Sequence, residues 1–207
     1  MAQQSRSAVT EEDISTYRRD GVVCLRNVFP SQSTAGLCEI AREARSDRVK
    51  FNLLPTIPIP RYLARTVPEF RRFVFDSPLG EVCGQLLQSS TIRFFFDEIF
   101  AKPPGSTRPT IWHSDRAGWP VSGEMVPSVW IPLTPVSKAT SLECIAGSHN
   151  HDRLYWLFSP NSRQMIRPED RPLAPDVEAL RGKPGLDFLS WEMQPGDCLV
   201  VHPWTLH

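Results

Sequence analysis

The sequence predicts an α+β fold, and three observations support this prediction. Apolar residues with helical spacing occur mainly before residue 90, β-forming residues dominate after it, and the later segments are short and bounded by Pro and Gly turns. Helices followed by many short strands indicate a double-stranded β-helix, or jelly roll, with the N-terminal helices packed on one sheet. The 207 residues are enough for one sizeable core, so we expect a single domain over residues 1–207.

Three helical regions are predicted in the first half of the chain. The first begins after Thr10, whose hydroxyl suits an N-cap, and ends at Gly21, which suits the C-terminal stop. A strand is expected at residues 21–25, a second helix from Ser31, and a third helical region over residues 68–88. The apolar stripes that support the later helices are Leu37, Ile40, Ala41 and Ala44, and then Leu79, Val82, Cys83 and Leu86.

Five short strands are predicted later in the chain, since β-branched and aromatic residues are enriched there. They cover residues 91–100, 110–112, 128–133, 141–145 and 197–201. A Pro-Pro-Gly-Ser turn is expected at residues 103–106.

Three regions lack a regular pattern. Residues 1–9 are polar and are expected to fray. Residues 47–68 contain four prolines, and residues 152–187 mix proline with charge. Binding residues gather on loops over a rigid scaffold, so we expect substrate specificity in the last two regions. For residues 47–68, an ordinary surface connection is an equally good interpretation.

The composition narrows the class of protein. The formal net charge is +0, so bulk electrostatics do not draw the chain to nucleic acid or to an acidic membrane. No stretch of about 18 apolar residues is present, so no membrane span is expected, and the N-terminus lacks the apolar run of a signal peptide. The five cysteines are scattered and form no C-x-x-C pair, which favours thiols in a reducing cytoplasm over disulfides or a zinc ribbon.

A histidine and an aspartate lie two residues apart in Trp112-His113-Ser114-Asp115. Side chains alternate in an extended chain, so His113 and Asp115 point to the same side and can offer a nitrogen and an oxygen to one metal ion. With a second histidine this becomes the arrangement of non-haem Fe(II) sites. Taken alone, the pattern also fits an ordinary turn aspartate.

The third ligand must come from far along the chain, and the C-terminal segment offers His202 and His207. They are five residues apart with Pro203 between them, so they cannot share one face of a regular strand, and spacing does not choose between them. His149 and His151 have the right spacing but lie in a Gly-Ser turn, so we interpret them as surface residues and not as ligands.

Six segments in order match a known family: residues 11–26, 101–106, 112–115, 130–134, 145–149 and 195–207. Together they resemble the phytanoyl-CoA dioxygenase-like family of Fe(II)/2-oxoglutarate-dependent oxygenases, whose fold is a cupin-like jelly roll. The third segment resembles the family's W-H-x-D motif, and the last resembles its final G-D…H-x…H block.

The resemblance implies that His113, Asp115 and His207 hold Fe(II) and that His202 supports them. Lys102 and Trp130 match positions that line the 2-oxoglutarate pocket. Trp119 matches an aromatic residue found near the site in some relatives. Ordinary core packing is an equally good interpretation of both tryptophans.

The sequence departs from the family at its end. The family carries a basic residue, usually Arg, shortly after the distal histidine, where it pairs with the outer carboxylate of 2-oxoglutarate. This chain ends at His207, so we expect a fragment or a truncated and impaired relative that lacks the closing strands. Arg93, Lys102 and Arg116 are possible substitutes. A ligand at the last residue is also expected to fray.

The function implied by the resemblance is hydroxylation of a small organic molecule with Fe(II), O2 and 2-oxoglutarate, which is converted to succinate and CO2. Relatives that halogenate lack the carboxylate that Asp115 provides here. Two alternatives stay open at this point: an impaired metal-binding jelly roll, and a cupin-like metalloenzyme that does not use 2-oxoglutarate.

Overall fold

The computed structural model describes residues 9–46, 61–102, 105, 109–151 and 175–207. The helices of these residues are α1 (Glu11–Asp20), α2 (Ser31–Ser46), α3 (Leu63–Thr66), α4 (Pro68–Asp76), α5 (Leu79–Leu87) and α6 (Val177–Leu180), with 3₁₀ turns at Asp115–Ala117 and Ser148–Asn150. The strands are β1 (Val22–Leu25), β2 (Ser128–Trp130), β3 (Glu143–Ile145), β4 (Phe188–Ser190) and β5 (Cys198–Val201).

Helix α1 has the ends that the sequence predicts. The Thr10 hydroxyl accepts from Asp13 N at 3.2 Å, and the Asp13 carboxylate accepts from Thr10 N at 2.8 Å, which completes a capping box. Gly21 ends the helix at φ 75°, and its N–H donates to Tyr17 O at 2.9 Å. Strand β1 follows at once, so the position of Gly21 fixes how the chain enters the sheet.

Strand β5 is the centre of the main sheet, whose order is β1-β5-β2 with both neighbours antiparallel. All four of its residues are buried, which explains why they form a continuous apolar run rather than an alternating one. Cys198 and Val200 face one core, while Leu199 and Val201 face another.

The two faces of this sheet are covered by different elements. Helices α1, α2, α4 and α5 pack on the face that Cys198 and Val200 share with β1. The opposite face packs against Cys144 of the antiparallel pair β3–β4 and against Met193. The predicted α+β class and the packing of the N-terminal helices on one sheet are therefore confirmed. None of the helices in the described ranges is long and apolar enough to cross a bilayer.

Several boundaries differ from the sequence predictions. Residues 91–100 form no ladder and make a single bridge between Arg61 and Glu98, so the predicted strand is wrong there. The helix predicted over residues 68–88 is split at Ser77-Pro78, and helix α3 lies inside the predicted loop. Strand β4 was not predicted. The expectations for residues 1–8, 47–60 and 152–174, and for most of the turn at 103–106, lie outside the described residues.

Candidate metal centre

Three side chains converge beside the main sheet. One donor atom from each of His113, Asp115 and His207 lies within 4.8 Å of the others. The Nε2 atoms of the two histidines are each 3.8 Å from Asp115 Oδ1. This separation is too long for a hydrogen bond, and it is below the sum of two metal–ligand bonds of about 2.0–2.2 Å, so both atoms of each pair can reach one ion. The geometry therefore suits one shared ion between the three groups.

Backbone pairing brings the two histidines together. His113 N donates to His207 O at 3.0 Å, and His207 N donates to His113 O at 2.9 Å. Two exchanged bonds of this kind define a hydrogen-bonded antiparallel pair, in which opposite side chains project to the same side. The imidazole ring centroids lie 4.5 Å apart.

The second nitrogen of each imidazole is bound to a backbone carbonyl. His113 Nδ1 lies 2.8 Å from Ile111 O, and His207 Nδ1 lies 3.0 Å from Thr205 O. A carbonyl oxygen only accepts, so each Nδ1 carries the proton and donates it, which leaves the Nε2 lone pair free. Metal-binding histidines in proteins are oriented by such bonds.

The Asp115 carboxylate is held in a similar way. The Ser128 hydroxyl at the start of β2 donates to Asp115 Oδ2, which leaves Oδ1 facing both histidines. Burial, and after it the charge of His207, lowers the pKa of His113. A neutral imidazole can bind a metal without first losing a proton. Two imidazole nitrogens and one carboxylate oxygen on the same side of a site fit Fe(II) with open positions.

The last residues of the chain are firmly positioned. The Gly21 carbonyl accepts from His202 N and from the Thr205 hydroxyl, both at 2.8 Å. Leu206 is buried, and the His207 side chain is only 8% exposed. The expectation that His207 would fray is therefore wrong, because the end of α1 and the His113 backbone both bind this segment.

Trp112, the residue before His113, is held by contacts with α6 and β4. Trp112 Nε1 donates to Glu178 Oε1 of α6 at 3.0 Å, and the Trp112 ring packs edge-on against Phe188 of β4. Arg181 binds Glu178 as well and forms a two-point contact with Glu143 of β3. Helix α6 thus ties the metal segment to the smaller sheet.

The other predicted site residues lie outside the triad. Trp130 is half-buried in β2, paired with Leu199, and packs on the core between the two sheets. Trp119 is half-buried, with its ring about 6 Å from those of Phe95 and Phe96. Lys102 is exposed. Both tryptophans therefore take part in packing, and a role in binding stays a prediction.

The remaining histidines do not join the three donors. His202 and His149 pack on each other with ring centroids 4.9 Å apart, and His149 Nε2 binds the carbonyl oxygen of Arg18. His151 is exposed. Burial, and secondarily the charge of His149, lowers the pKa of His202 to about 4.

Some residues near the centre were not identified from the sequence. Glu98 is affected by the charges of Asp115 and His113 and pairs with Arg61 at 2.6 Å. Burial is the main cause that raises the pKa of Glu98. The sequence also did not identify Ser128, which holds Asp115, or Trp204, whose buried indole N–H has no acceptor among the described residues. The only sequence signal for Glu98 is an acid within an aromatic run.

Comparison with known proteins gave a family match and structural matches. The family model described as Phytanoyl-CoA dioxygenase (PhyH) matches residues 17–207, which confirms the resemblance noted in the sequence. No curated protein matches the chain.

Three solved structures illustrate the shared fold. The non-haem alpha-ketoglutarate-dependent carbocyclase SnoK from nogalamycin biosynthesis is 20% identical, with a TM-score of 0.71 over 99% of this chain and 79% of that chain. The epimerase SnoN in complex with Fe3+, alpha-ketoglutarate and nogalamycin RO is 19% identical, with a TM-score of 0.63 over 95% and 75%. EctD from S. alaskensis with 2-oxoglutarate and 5-hydroxyectoine is 18% identical, with a TM-score of 0.69 over 99% and 72%.

Proposed function

The chain belongs to the phytanoyl-CoA dioxygenase family, whose members use Fe(II), 2-oxoglutarate and O2, and from this premise we propose that it hydroxylates a small organic molecule. In the proposed reaction 2-oxoglutarate loses CO2 and becomes succinate, one oxygen atom of O2 enters succinate, and the other enters the substrate as a hydroxyl group.

One observation carries the proposal. The two Nε2 atoms face the same carboxylate oxygen at 3.8 Å, while the Nδ1 atoms and Asp115 Oδ2 are already bound by the protein. The Nε2 lone pairs of both histidines are therefore free, and Asp115 Oδ1 is the oxygen nearest to both of them. We propose that His113, Asp115 and His207 are the iron ligands.

Each residue near the three ligands has a distinct role in the proposal. Bound Fe(II) supplies the redox chemistry with O2 and the 2-oxo acid. The carbonyls of Ile111 and Thr205 fix the imidazole tautomers, and Ser128 orients the carboxylate. Lys102 and Trp130 are proposed to line the 2-oxoglutarate pocket.

The substrate is proposed to lie on the side of the aromatic residues. Trp119 packs with Phe95 and Phe96, and Phe95 is partly exposed. Such a wall offers apolar contact to a small molecule. The related structures contain nogalamycin RO or 5-hydroxyectoine, which supports a small-molecule substrate. They also include a carbocyclase and an epimerase, so the fold does not select hydroxylation among these reactions, and the Asp115 carboxylate argues against halogenation alone.

The proposal also covers the fold, the domain organisation and the cellular location. We propose that the two sheets are the facing sheets of a jelly roll and that residues 1–207 form one domain. No disulfide links the five cysteines, all of which lie in the described ranges, and this supports a reducing, cytoplasmic location.

The test is succinate release from 2-oxoglutarate by protein loaded anaerobically with Fe(II) and then exposed to O2. Slow turnover without added substrate is expected from the unaltered chain. His113→Ala should reduce it at least about 100-fold, because one of the three donors is lost. The exposed His151 provides a matched control, and His151→Ala should keep the rate of the unaltered chain.

Binding measurements separate the proposal from its alternatives. A chain that binds Fe(II) but ignores 2-oxoglutarate would behave as a cupin-like metalloenzyme. A chain that binds both but releases no succinate would be an impaired relative. Either result would contradict the proposed function.

A further inference from the structure

A small apolar cluster lies behind the two histidines of the metal centre. Its buried members are Ile145, Val177 and Leu206, and Trp112, Leu186 and Phe188 pack against them. Two of these six residues, Trp112 and Leu206, directly precede the two histidines in the chain. Successive side chains of an extended segment point to opposite sides, so the cluster supports the paired histidine segments on the face turned away from the imidazoles.

The two residues that precede the histidines are held in different ways. Leu206 is fixed through its backbone, since its N–H donates to Ser148 Oγ at 2.9 Å and its carbonyl accepts from Ile145 N at 3.0 Å. Trp112 is fixed through its side chain, whose Nε1 donates to Glu178 Oε1 at 3.0 Å. Helix α6 therefore contributes to the position of the first histidine, and the end of β3 to that of the second.

The Glu178 carboxylate is itself held in place. Arg181 Nε donates to Glu178 Oε2 at 3.0 Å, and Arg181 Nη2 donates to Glu178 Oε1 at 3.1 Å. Arg181 also makes two bonds to the Glu143 carboxylate, at 3.0 and 2.8 Å, and its guanidinium lies 4.1 Å from the centroid of the Phe188 ring. Isolated surface ion pairs contribute little to stability, but paired arginine bonds within a network hold a carboxylate in one geometry. Glu178 is therefore a fixed acceptor for Trp112, although its side chain is 62% exposed.

Contacts other than the Trp112 bond position α6 itself. The helix has only four residues, and so short a helix is not stable on its own. Val177 is 1% exposed in the apolar cluster, the Asp176 side chain caps the helix by accepting from Ala179 N at 3.1 Å, and Arg181 binds β3. A change at Glu178 therefore removes the bond to Trp112 and leaves these supports of the helix in place.

We propose that Glu178 is a positioning residue of the iron centre: through the Trp112 indole it fixes the segment that carries the first two iron ligands. Arg181 holds the Glu178 carboxylate in the geometry that this bond needs. The inference rests on the iron ligands of the proposed function. Glu178 acts through Trp112 and not by contact with the three donors, the co-substrate or the substrate.

The test is a double-mutant cycle on Fe(II) affinity, measured on the full chain without oxygen by competition with a metal indicator. Trp112→Phe keeps an aromatic ring and removes the N–H donor, and Glu178→Ala removes the acceptor. Each change should weaken Fe(II) binding about 3- to 10-fold, which is less than the loss of about 10- to 100-fold typical of groups bound directly to a ligand. The double variant should bind Fe(II) no more weakly than the weaker single variant, because both changes remove the same bond.

Further variants separate positioning from charge. Glu178→Gln keeps an amide oxygen for the Trp112 indole and should retain most of the Fe(II) affinity. Glu69 and Arg72 on α4 form an ion pair with the same three-residue spacing, so Glu69→Ala is the matched control and should leave Fe(II) affinity unchanged. If Glu178→Ala does not fold, Arg181→Gln, which withdraws the bonds that fix the carboxylate, must weaken Fe(II) binding several-fold.

The outcomes distinguish this inference from the proposed function. Additive losses of affinity in the cycle, or an unchanged Fe(II) affinity in Glu178→Ala with only a lower urea midpoint, would show that Glu178 has a purely structural role. Equal losses in Glu178→Gln and Glu178→Ala would assign the effect to charge, and either result overturns the inference. A chain that binds Fe(II) but releases no succinate contradicts the proposed function, and the cycle still decides the role of Glu178. Failure of the unaltered chain to bind Fe(II) overturns both.

Discussion

The chain contains two histidine pairs with nearly the same ring geometry and different surroundings. The rings of His113 and His207 lie 4.5 Å apart with 50° between their planes, and those of His149 and His202 lie 4.9 Å apart with 54° between theirs. The first pair faces the Asp115 carboxylate, whereas the second packs beside the Tyr17 ring.

The difference between the pairs lies in which nitrogen the protein uses. In the first pair the backbone binds both Nδ1 atoms and leaves both Nε2 atoms free. In the second, His149 Nε2 binds Arg18 O, and His202 Nδ1 accepts from Trp204 N at 3.3 Å. Ring proximity is therefore a poor indicator of a metal site. A carboxylate and two free nitrogens directed to one place are the features that matter.

The largest expected effect comes from removing the carboxylate that distinguishes the pairs. Asp115→Ala should lower Fe(II) affinity by at least about 100-fold, since loss of an outer partner alone typically costs about 10- to 100-fold. Competition with a metal indicator under anaerobic conditions measures this change.

The second pair provides the control for this experiment. His149→Gln removes an imidazole from a ring pair of the same geometry and should leave Fe(II) affinity unchanged. If both variants lost affinity equally, the distinction drawn between the two pairs would be wrong.

A second prediction concerns Gly21, which lies against His149 of the second pair and against Thr205, two residues before His207. Gly21 has φ 75°, and a Cβ built there would clash with His149 Nδ1 and with the Thr205 hydroxyl. Gly21→Ala should lower the free energy of unfolding by about 2–4 kcal/mol, because backbone strain and overpacking add. Urea titration measures the change.

Gly182 separates the two contributions. It has φ 81°, and no atom of the described residues lies within 4 Å of a built Cβ, so Gly182→Ala adds strain without a clash among them. Its cost should be about 1–2 kcal/mol. An equal decrease in the free energy of unfolding in the two variants would show that the contact with His149 and Thr205 does not contribute to the cost.

Local patterns predicted much of this arrangement. The alternation of extended chain placed His113 and Asp115 on one side, and the cap residues Thr10 and Gly21 marked both ends of α1. The continuous apolar run of β5 predicted its strand. Each of these features depends on residues within a few positions of one another.

The remainder depends on contacts between distant residues. Spacing could not choose between His202 and His207, whereas the backbone pairing of residues 113 and 207 brings only the latter to Asp115. The contact of Ser128 with Asp115 also joins segments with no shared pattern. The aromatic run at residues 91–100 predicted a strand that the structure does not contain. Side-chain preference does not show whether a neighbouring segment is available to pair with the strand.

The smallest expected effect is a pH dependence of the stability that arises from His202 in the second histidine pair. Burial lowers the pKa of His202 to about 4, below the value of about 6.5 for an unfolded histidine. The unfolded chain therefore binds the extra proton first as the pH falls. The stability due to the neutral ring is fully present above about pH 6.5, declines between about 6.5 and 4, and is constant below that.

His202→Asn tests this prediction, because the amide oxygen can accept from Trp204 N in place of Nδ1 but does not titrate. The unaltered chain should lose more stability than the variant between pH 7 and 4, by at most about 1.4 kcal/mol per pH unit, and by less because solvent screens a partly exposed ring. Subtracting the two urea titration series at matched pH removes the carboxylates, which titrate in both proteins. Parallel pH profiles would mean that His202 is as easily protonated in the folded chain as in the unfolded one, and the contrast between the two histidine pairs would then lie in the carboxylate alone.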